Sequence, residues 1–301
     1  MINRGSRRGI KRYYCNDCKC WFSSKRRAIH SQEIIFRKYI YKRQTLKDLS
    51  EEYHRSIPWI KKQIDEYEPD AKVHNPREVV LVCDATFYGK RKDKLGTLVF
   101  KDVLTKEVLI WKHIQSEKAS DYKQLLQALF DSGYTIKGVT TDGKRGLYKV
   151  FKDYPIQLCH FHQKKTIQRY LTMNPRLEAS IELKKIVDRL TSTTEIKFTT
   201  KLEKWYEKNE DFLNEITISP VTLKETFTHY KLVAAYKSLA RNLPYLFTYK
   251  NFKDIGIHNT TNSLDGGVFS PMKMLLKIHR GFRKSLKLKM IDEYLTNYKK
   301  K

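Results

Sequence analysis

The sequence predicts a mixed α/β protein, a sheet with helices on its faces, broken by a helical insertion and preceded by a small basic module. Three observations predict it. Strand-length apolar runs at 79–83, 96–101, 108–114, 136–141 and 156–159 are interleaved with segments of helical period. The stretch from 171 to 250 is patterned as helix almost throughout. The 301 residues carry 60 Lys and Arg against 33 Asp and Glu, a net charge of +27.

That charge is clustered. Residues 1–30 hold nine basic side chains and one acid, and residues 270–301 hold ten and two. Clusters of this kind fit a polyanion, because each phosphate they neutralise releases condensed counterions. Hydrophobic residues make up 40% of the chain and aromatics 12%, with only 12 Gly and 8 Pro, a composition that folds. No apolar run approaches the roughly 20 residues that span a bilayer, and the basic N-terminus lacks a signal peptide's apolar stretch, so a soluble, intracellular protein is expected. Five cysteines, an odd number, make no disulfide framework.

The elements follow in order. Residues 1–30 form a basic, aromatic segment around Cys15 and Cys18, whose spacing makes half of a tetrahedral Zn2+ site; Cys20 and His30 are the local residues that could complete it. Residues 31–67 are helical. Thr45 caps one short helix, and Ser56 with Pro58 starts a second whose Ile57, Ile60 and Ile64 share a face, so the pair reads as a helix-turn-helix with Trp59, Lys61 and Lys62 toward DNA. An ordinary three-helix bundle is the plainer alternative. A proline-containing linker, 68–76, separates this module from the core. In the core, the run at 79–83 delivers Asp84 at its end. Two more strands flank a turn at 104–107, Ser120 caps an amphipathic helix that Gly133 ends, and the run at 136–141 leads to Asp142. A short helix, the strand at 156–159 and a helix from His162 complete the series. Three hairpin-connected strands followed by helix, strand, helix, strand and helix give the order of a ribonuclease-H-like fold.

In that topology the first and fourth strands are neighbours, so Asp84 and Asp142 converge. Carboxylates at the ends of buried strands are poorly solvated unless compensated, and a hard divalent cation, Mg2+ or Mn2+, does this with oxygen ligands. A singly placed aspartate is more often a turn former or cap. Phosphodiester chemistry of the two-metal kind needs a third acid.

Taken together, CDATFYG, TTDG, CHFH and TTNSLDGG resemble the Asp-Asp-Glu transposases of bacterial insertion sequences, the group related to Mutator elements, in its variant with a zinc-binding N-terminal segment. The resemblance spans about 77–290. It implies a catalytic core in two parts, 77–170 and 256–301, around a helical insertion at 171–255, with the zinc-knuckle-like segment 1–30 and the helix-turn-helix module 31–67 in front. It places the metal-holding acids at Asp84, Asp142 and Asp265, the last being Asp where the family has Glu; Asp292 and Glu293 are the fallback positions. Asn262 is then expected to cap a helix presenting Asp265, with Gly266 and Gly267 interrupting or tightening it. Cys159 and His162 match a core motif whose implied role is positioning. Lys144, Arg145, Arg280 and Arg283 are candidate contacts to DNA strands. The activity implied is metal-dependent strand cleavage and transfer on double-stranded DNA, at terminal inverted repeats and at a target, by a homo-oligomer that pairs two ends. The rivals are a catalytically inactive DNA-binding descendant and a junction resolvase of the same fold, the second disfavoured by the insertion and the helix-turn-helix.

Overall fold

The computed structural model describes residues 1–7, 10–23, 31–90 and 93–298. The chain divides into two compact units, Met1–Pro69 and Asp70–Lys301. None of the described helices is long and apolar enough to cross a membrane.

In the first unit, strands β1 (Ile2–Arg7), β2 (Ile10–Tyr14) and β3 (Trp21–Ser23) form an antiparallel sheet in that order. The Cys15–Cys18 turn joins β2 to β3 and is closed by the Cys15 N–H donating to the Cys20 carbonyl at 3.0 Å. The sequence pattern marks the cysteines but not the strands around them. Helices α1 (Gln32–Tyr41), α2 (Leu46–Tyr53) and α3 (Ile57–Glu66) follow. A reciprocal capping box between Thr45 and Asp48 starts α2. His54, at φ 50°, ends it in the left-handed region, and Pro58 occupies the first turn of α3. Ile60 and Ile64 are buried while Ile57 is 45% exposed, so the buried face of α3 is narrower than its periodicity suggested.

The second unit is built on five strands: β4 (Glu78–Tyr88), β5 (Leu95–Asp102), β6 (Val108–Ile114), β7 (Thr135–Thr141) and β8 (Ile156–Leu158). Their order is β6-β5-β4-β7-β8, with β5 antiparallel to both neighbours and β4, β7 and β8 parallel. This mixed sheet is consistent with the ribonuclease-H-like arrangement expected. Every residue of β5 is buried, as an interior strand covered on both faces should be. One face packs Val79, Leu81, Cys83, Leu98 and Phe100 against Tyr122, Leu125 and Leu129 of α4 (Ala119–Asp131) and, beyond Asp142, Leu147 of α5 (Leu147–Val150). Ser120 lies inside α4 and does not cap it. The helix begins one residue earlier, and the Asp121 carboxylate accepts the Lys118 N–H at 3.2 Å instead.

Helices α6 (His160–Leu171), α7 (Glu178–Asp188), α8 (Glu195–Asn214) and α9 (Tyr230–Asn242) share a second core around Leu183, Phe198, Leu202, Trp205 and Leu239. Between α8 and α9 the chain makes a hairpin of β9 (Ile216–Ile218) and β10 (Glu225–Phe227), within the stretch whose period predicts helix. The β-branched Ile216, Thr217 and Ile218 face Phe227, Thr226 and Glu225 across the ladder, a pairing that local helical period does not register.

After the short α10 (Thr248–Asn251) the chain returns to the sheet. Gly138 of β7 permits this, since a Cβ there would stand 2.6 Å from Ile257 Cδ1. The Thr140 hydroxyl donates to the His258 carbonyl at 2.6 Å, and the His160 N–H donates to Asn259 O at 2.9 Å. So docked, the segment enters α11 (Asn262–Leu264), a π-helical turn over Asp265–Phe269, α12 (Ser270–Ile278) and, after a break, α13 (Lys284–Thr296). Thr261, not Asn262, holds the cap position of α11.

Candidate active site

Asp84 does not end its strand, as its sequence context suggested, but lies within β4. The antiparallel pairing with β5 continues from Asp84↔Val99 to Tyr88↔Leu95, whereas the parallel pairing with β7 stops at Val82↔Thr140. Asp84 therefore stands just past the last parallel rung, 6% exposed, with its Oδ1 accepting the Ala85 N–H at 2.7 Å. Asp142 follows β7 directly and is half-buried, its Oδ1 accepting the Lys144 N–H at 3.0 Å. Asp265 opens the π-helical turn and is also half-buried. The Ser270 N–H reaches the Asp265 carbonyl five residues back, so the glycines accompany a widened turn and not a tightened one.

Ligand atoms of Asp84, His162 and Asp265 lie within 4.8 Å of one another, and among the described residues this is the one such group of three. Asp142 adjoins them closely enough to bear on the Asp84 carboxyl. Burial first, then the Asp265 and Asp142 carboxylates, push Asp84 up to about 7. Asp142 is also raised, by burial and by Glu117. Buried acids that repel one another are what a divalent cation relieves, and the oxygen-rich donor set fits Mg2+ or Mn2+. In that sense the residues present fit the cation expected.

His162 is brought to the cluster by the first turn of α6. Its hydrogen bond with Cys159, aided by the charges of Cys159, Asp84 and Asp142 and opposed by burial, raises it to about 9. Burial works against the Cys159 thiolate, but hydrogen bonds from His162 and Thr261 outweigh it and lower the thiol. The Thr261 hydroxyl stands 3.3 Å from Asp265 Oδ2, 3.4 Å from His162 Nδ1 and 3.5 Å from Cys159 Sγ, tying α6 to the turn that carries Asp265. The other histidine of the motif, His160, is fully buried, donates to the Leu246 carbonyl at 2.6 Å and is lowered to about 4 by that burial.

Two acids considered from the sequence are engaged elsewhere. Asp292 accepts the Trp111 indole N–H at 2.7 Å and pairs with His113 at 2.9 Å, while Glu293 is buried and accepts from Asn297. Sequence reading missed Glu117, whose carboxylate accepts the Tyr122 hydroxyl at 2.7 Å and pairs with Lys144 at 2.9 Å. It sits in an irregular loop, so no strand or helix pattern flags it. Lys144 is thereby committed within the protein. Arg145, Arg280 and Arg283 have exposed side chains. Lys101, fully buried on β5, donates to the Ser263 carbonyl at 2.8 Å and so helps fix the approach to Asp265.

In the first unit, Trp59 is half-buried with the Arg55 guanidinium 5.5 Å from its ring, Lys61 and Lys62 are exposed, and Lys62 pairs with Glu66 at 3.6 Å. Cys15 is half-exposed, Cys18 and Cys20 are exposed, and backbone hydrogen bonds at Cys18 and Asp17 lower the Cys15 thiol. His30, the fourth candidate ligand there, lies outside the described residues.

No family model matches the chain, and no curated protein matches it. Among solved structures it is similar to the Drosophila P element transposase strand transfer complex, at 10% identity and a TM-score of 0.42 over 90% of this chain and 93% of that one. It is also similar to a simian T-cell lymphotropic virus intasome in complex with PP2A regulatory subunit B56 gamma, at 12% identity and a TM-score of 0.22 over 68% of each chain. At such scores neither neighbour assigns an activity to this chain.

Proposed function

We propose that the chain is a transposase that binds the ends of an insertion sequence and catalyses metal-dependent DNA strand cleavage and strand transfer. The observation that carries this reading is the convergence of Asp84, His162 and Asp265, from a strand, a helix and a widened turn far apart in sequence, with Asp142 beside them in a strongly basic chain. Asp84, Asp142 and Asp265 would hold Mg2+ or Mn2+, with His162 as the neighbouring nitrogen donor. A divalent cation held there supplies charge neutralisation at the scissile phosphate and makes a water or a 3′ hydroxyl a better nucleophile at neutral pH. The protein's own part is positioning. Backbone N–H groups fix the Asp84 and Asp142 carboxylates, and the Thr261, Cys159 and His162 contacts brace the turn bearing Asp265.

The exposed Arg145, Arg280 and Arg283 are assigned to phosphate contacts, and Trp59, Lys61 and Lys62 to recognition of the terminal repeats. Joining two element ends calls for at least two copies of the chain. The test is nicking, with Mg2+, of a duplex carrying the terminal repeat taken from DNA flanking the coding region. The native chain is expected to nick and Asp84→Ala not to; equal nicking by both overturns the assignment. Binding without cutting by the native chain would make it a DNA-binding protein alone.

A further inference from the structure

Residues 87–90, 94 and 95, at the facing ends of β4 and β5, and the loop before α4 line an open cleft of about 750 Å³, to which the chemistry above gives no role. Phe87, Lys90, Lys94, Ser116, Glu117 and Lys144 line it, and Lys144 follows the Asp142 carboxylate by two residues. Phe87 is 45% exposed although it belongs to the strand that carries Asp84. Its partner across the ladder is Gly96, where a Cβ would stand 2.6 Å from Phe87 Cε1 and 2.7 Å from Cδ1. The ring is therefore seated on the bare backbone of a glycine, and any other residue there would displace it. An aromatic held in this way has given up its rotamer freedom before a ligand arrives.

The charges around the ring are arranged for an anion. Lys90 and Lys94 are exposed at the cleft and enter no ion pair among the described residues. The carboxylate in the lining, Glu117, is occupied by the Tyr122 hydroxyl and the Lys144 ammonium. A paired base inside a duplex already has both faces stacked, so a fixed aromatic beside free ammonium groups suits a base without a partner.

We propose that this cleft binds an unpaired nucleotide of a DNA strand next to the acid cluster, its base stacked on Phe87 and its phosphate met by Lys90 and Lys94. The proposal rests on the DNA-processing reading above and deepens it. The experiment measures, by fluorescence anisotropy with the full chain, binding to a blunt duplex and to the same duplex bearing a short single-stranded extension. The native chain is expected to prefer the extended duplex about tenfold, within what base–aromatic stacking gives. Phe87→Leu keeps apolar cover over Gly96 and is expected to lose that preference while binding the blunt duplex as before; Phe87→Trp is expected to retain it. Equal binding of both duplexes by the native chain, or a preference unchanged in Phe87→Leu, overturns the cleft proposal and leaves the DNA reading standing. Binding of neither duplex overturns both. Should Phe87→Leu weaken blunt-duplex binding as well, the double variant Lys90→Gln, Lys94→Gln decides, and an unchanged preference there overturns the proposal.

Discussion

Burial and the neighbouring Asp265 and Asp142 carboxylates hold the Asp84 carboxyl at about 7, so without metal the folded protein keeps a proton that the unfolded chain releases near 3.8, the ordinary value for an aspartate. The folded-state pKa is the raised one. Its contribution to stability is therefore complete below about pH 4 and is lost as the pH climbs to about 7, by on the order of 4 kcal/mol. Metal-free native protein is expected to melt at a lower temperature at pH 8 than at pH 5, and Asp84→Asn to lose that part of the slope. Mg2+ or Mn2+ competes with the same proton, so either should raise the melting temperature of the native chain at pH 8 and do little for Asp84→Asn. A native pH profile that matches that of Asp84→Asn would show the carboxylates to be farther apart or better solvated than described. The choice of third acid is tested separately. Asp265→Asn is expected to lower metal-dependent nicking at least a hundredfold, whereas Asp292→Asn, which loses the carboxylate charge beside Trp111 and His113, should change stability more than nicking.

The widened turn makes its own prediction. A π-helical turn holds one more residue than the α-helix would, and each residue rotates an α-helix by about 100°. Deleting Gly266, beside which a Cβ would meet nothing within 4 Å, should let the segment close into regular α-helix and swing Asp265 off the cluster. The variant is expected to fold, by circular dichroism, yet lose the rise in melting temperature that metal gives the native chain; a full rise would show that the turn does not aim the carboxylate. Nothing in TTNSLDGG announces this geometry, because a bond to the fifth residue back leaves no local signature distinct from one to the fourth. What was legible follows physical lines. Strands buried on both faces, such as β5, show as unbroken apolar runs, and amphipathic helices such as α4 show by period. Asp84 and Asp142 were legible because each follows such a run. His162 was singled out only as part of a motif, since its aim depends on α6 starting at His160. The hairpin of β9 and β10 and the N-terminal sheet were missed because short strands owe their existence to cross-strand partners more than to pattern.

Charge acts over the whole molecule. Residues 1–69 alone carry 17 basic and 8 acidic side chains, and the remaining residues bring the net charge to +27, so both units attract a polyanion. Attraction of this origin is dominated by counterion release, for which affinity falls as a power of salt concentration with an exponent of about 0.9 for each phosphate neutralised. If the full chain makes some six to ten phosphate contacts, its affinity for a blunt duplex of arbitrary sequence should fall by at least about a thousandfold between roughly 50 and 200 mM salt. Lys61→Gln should lower the exponent by about one, because its ammonium is exposed on α3 and would meet a phosphate. Glu117→Gln removes the negative charge paired with Lys144 while keeping the Glu117 backbone carbonyl that the same ammonium reaches at 2.6 Å, so it should leave the exponent unchanged or raise it. An affinity indifferent to salt would mean that the basic side chains face solvent alone, and recognition of DNA would then have to be sought in base contacts that +27 does nothing to explain.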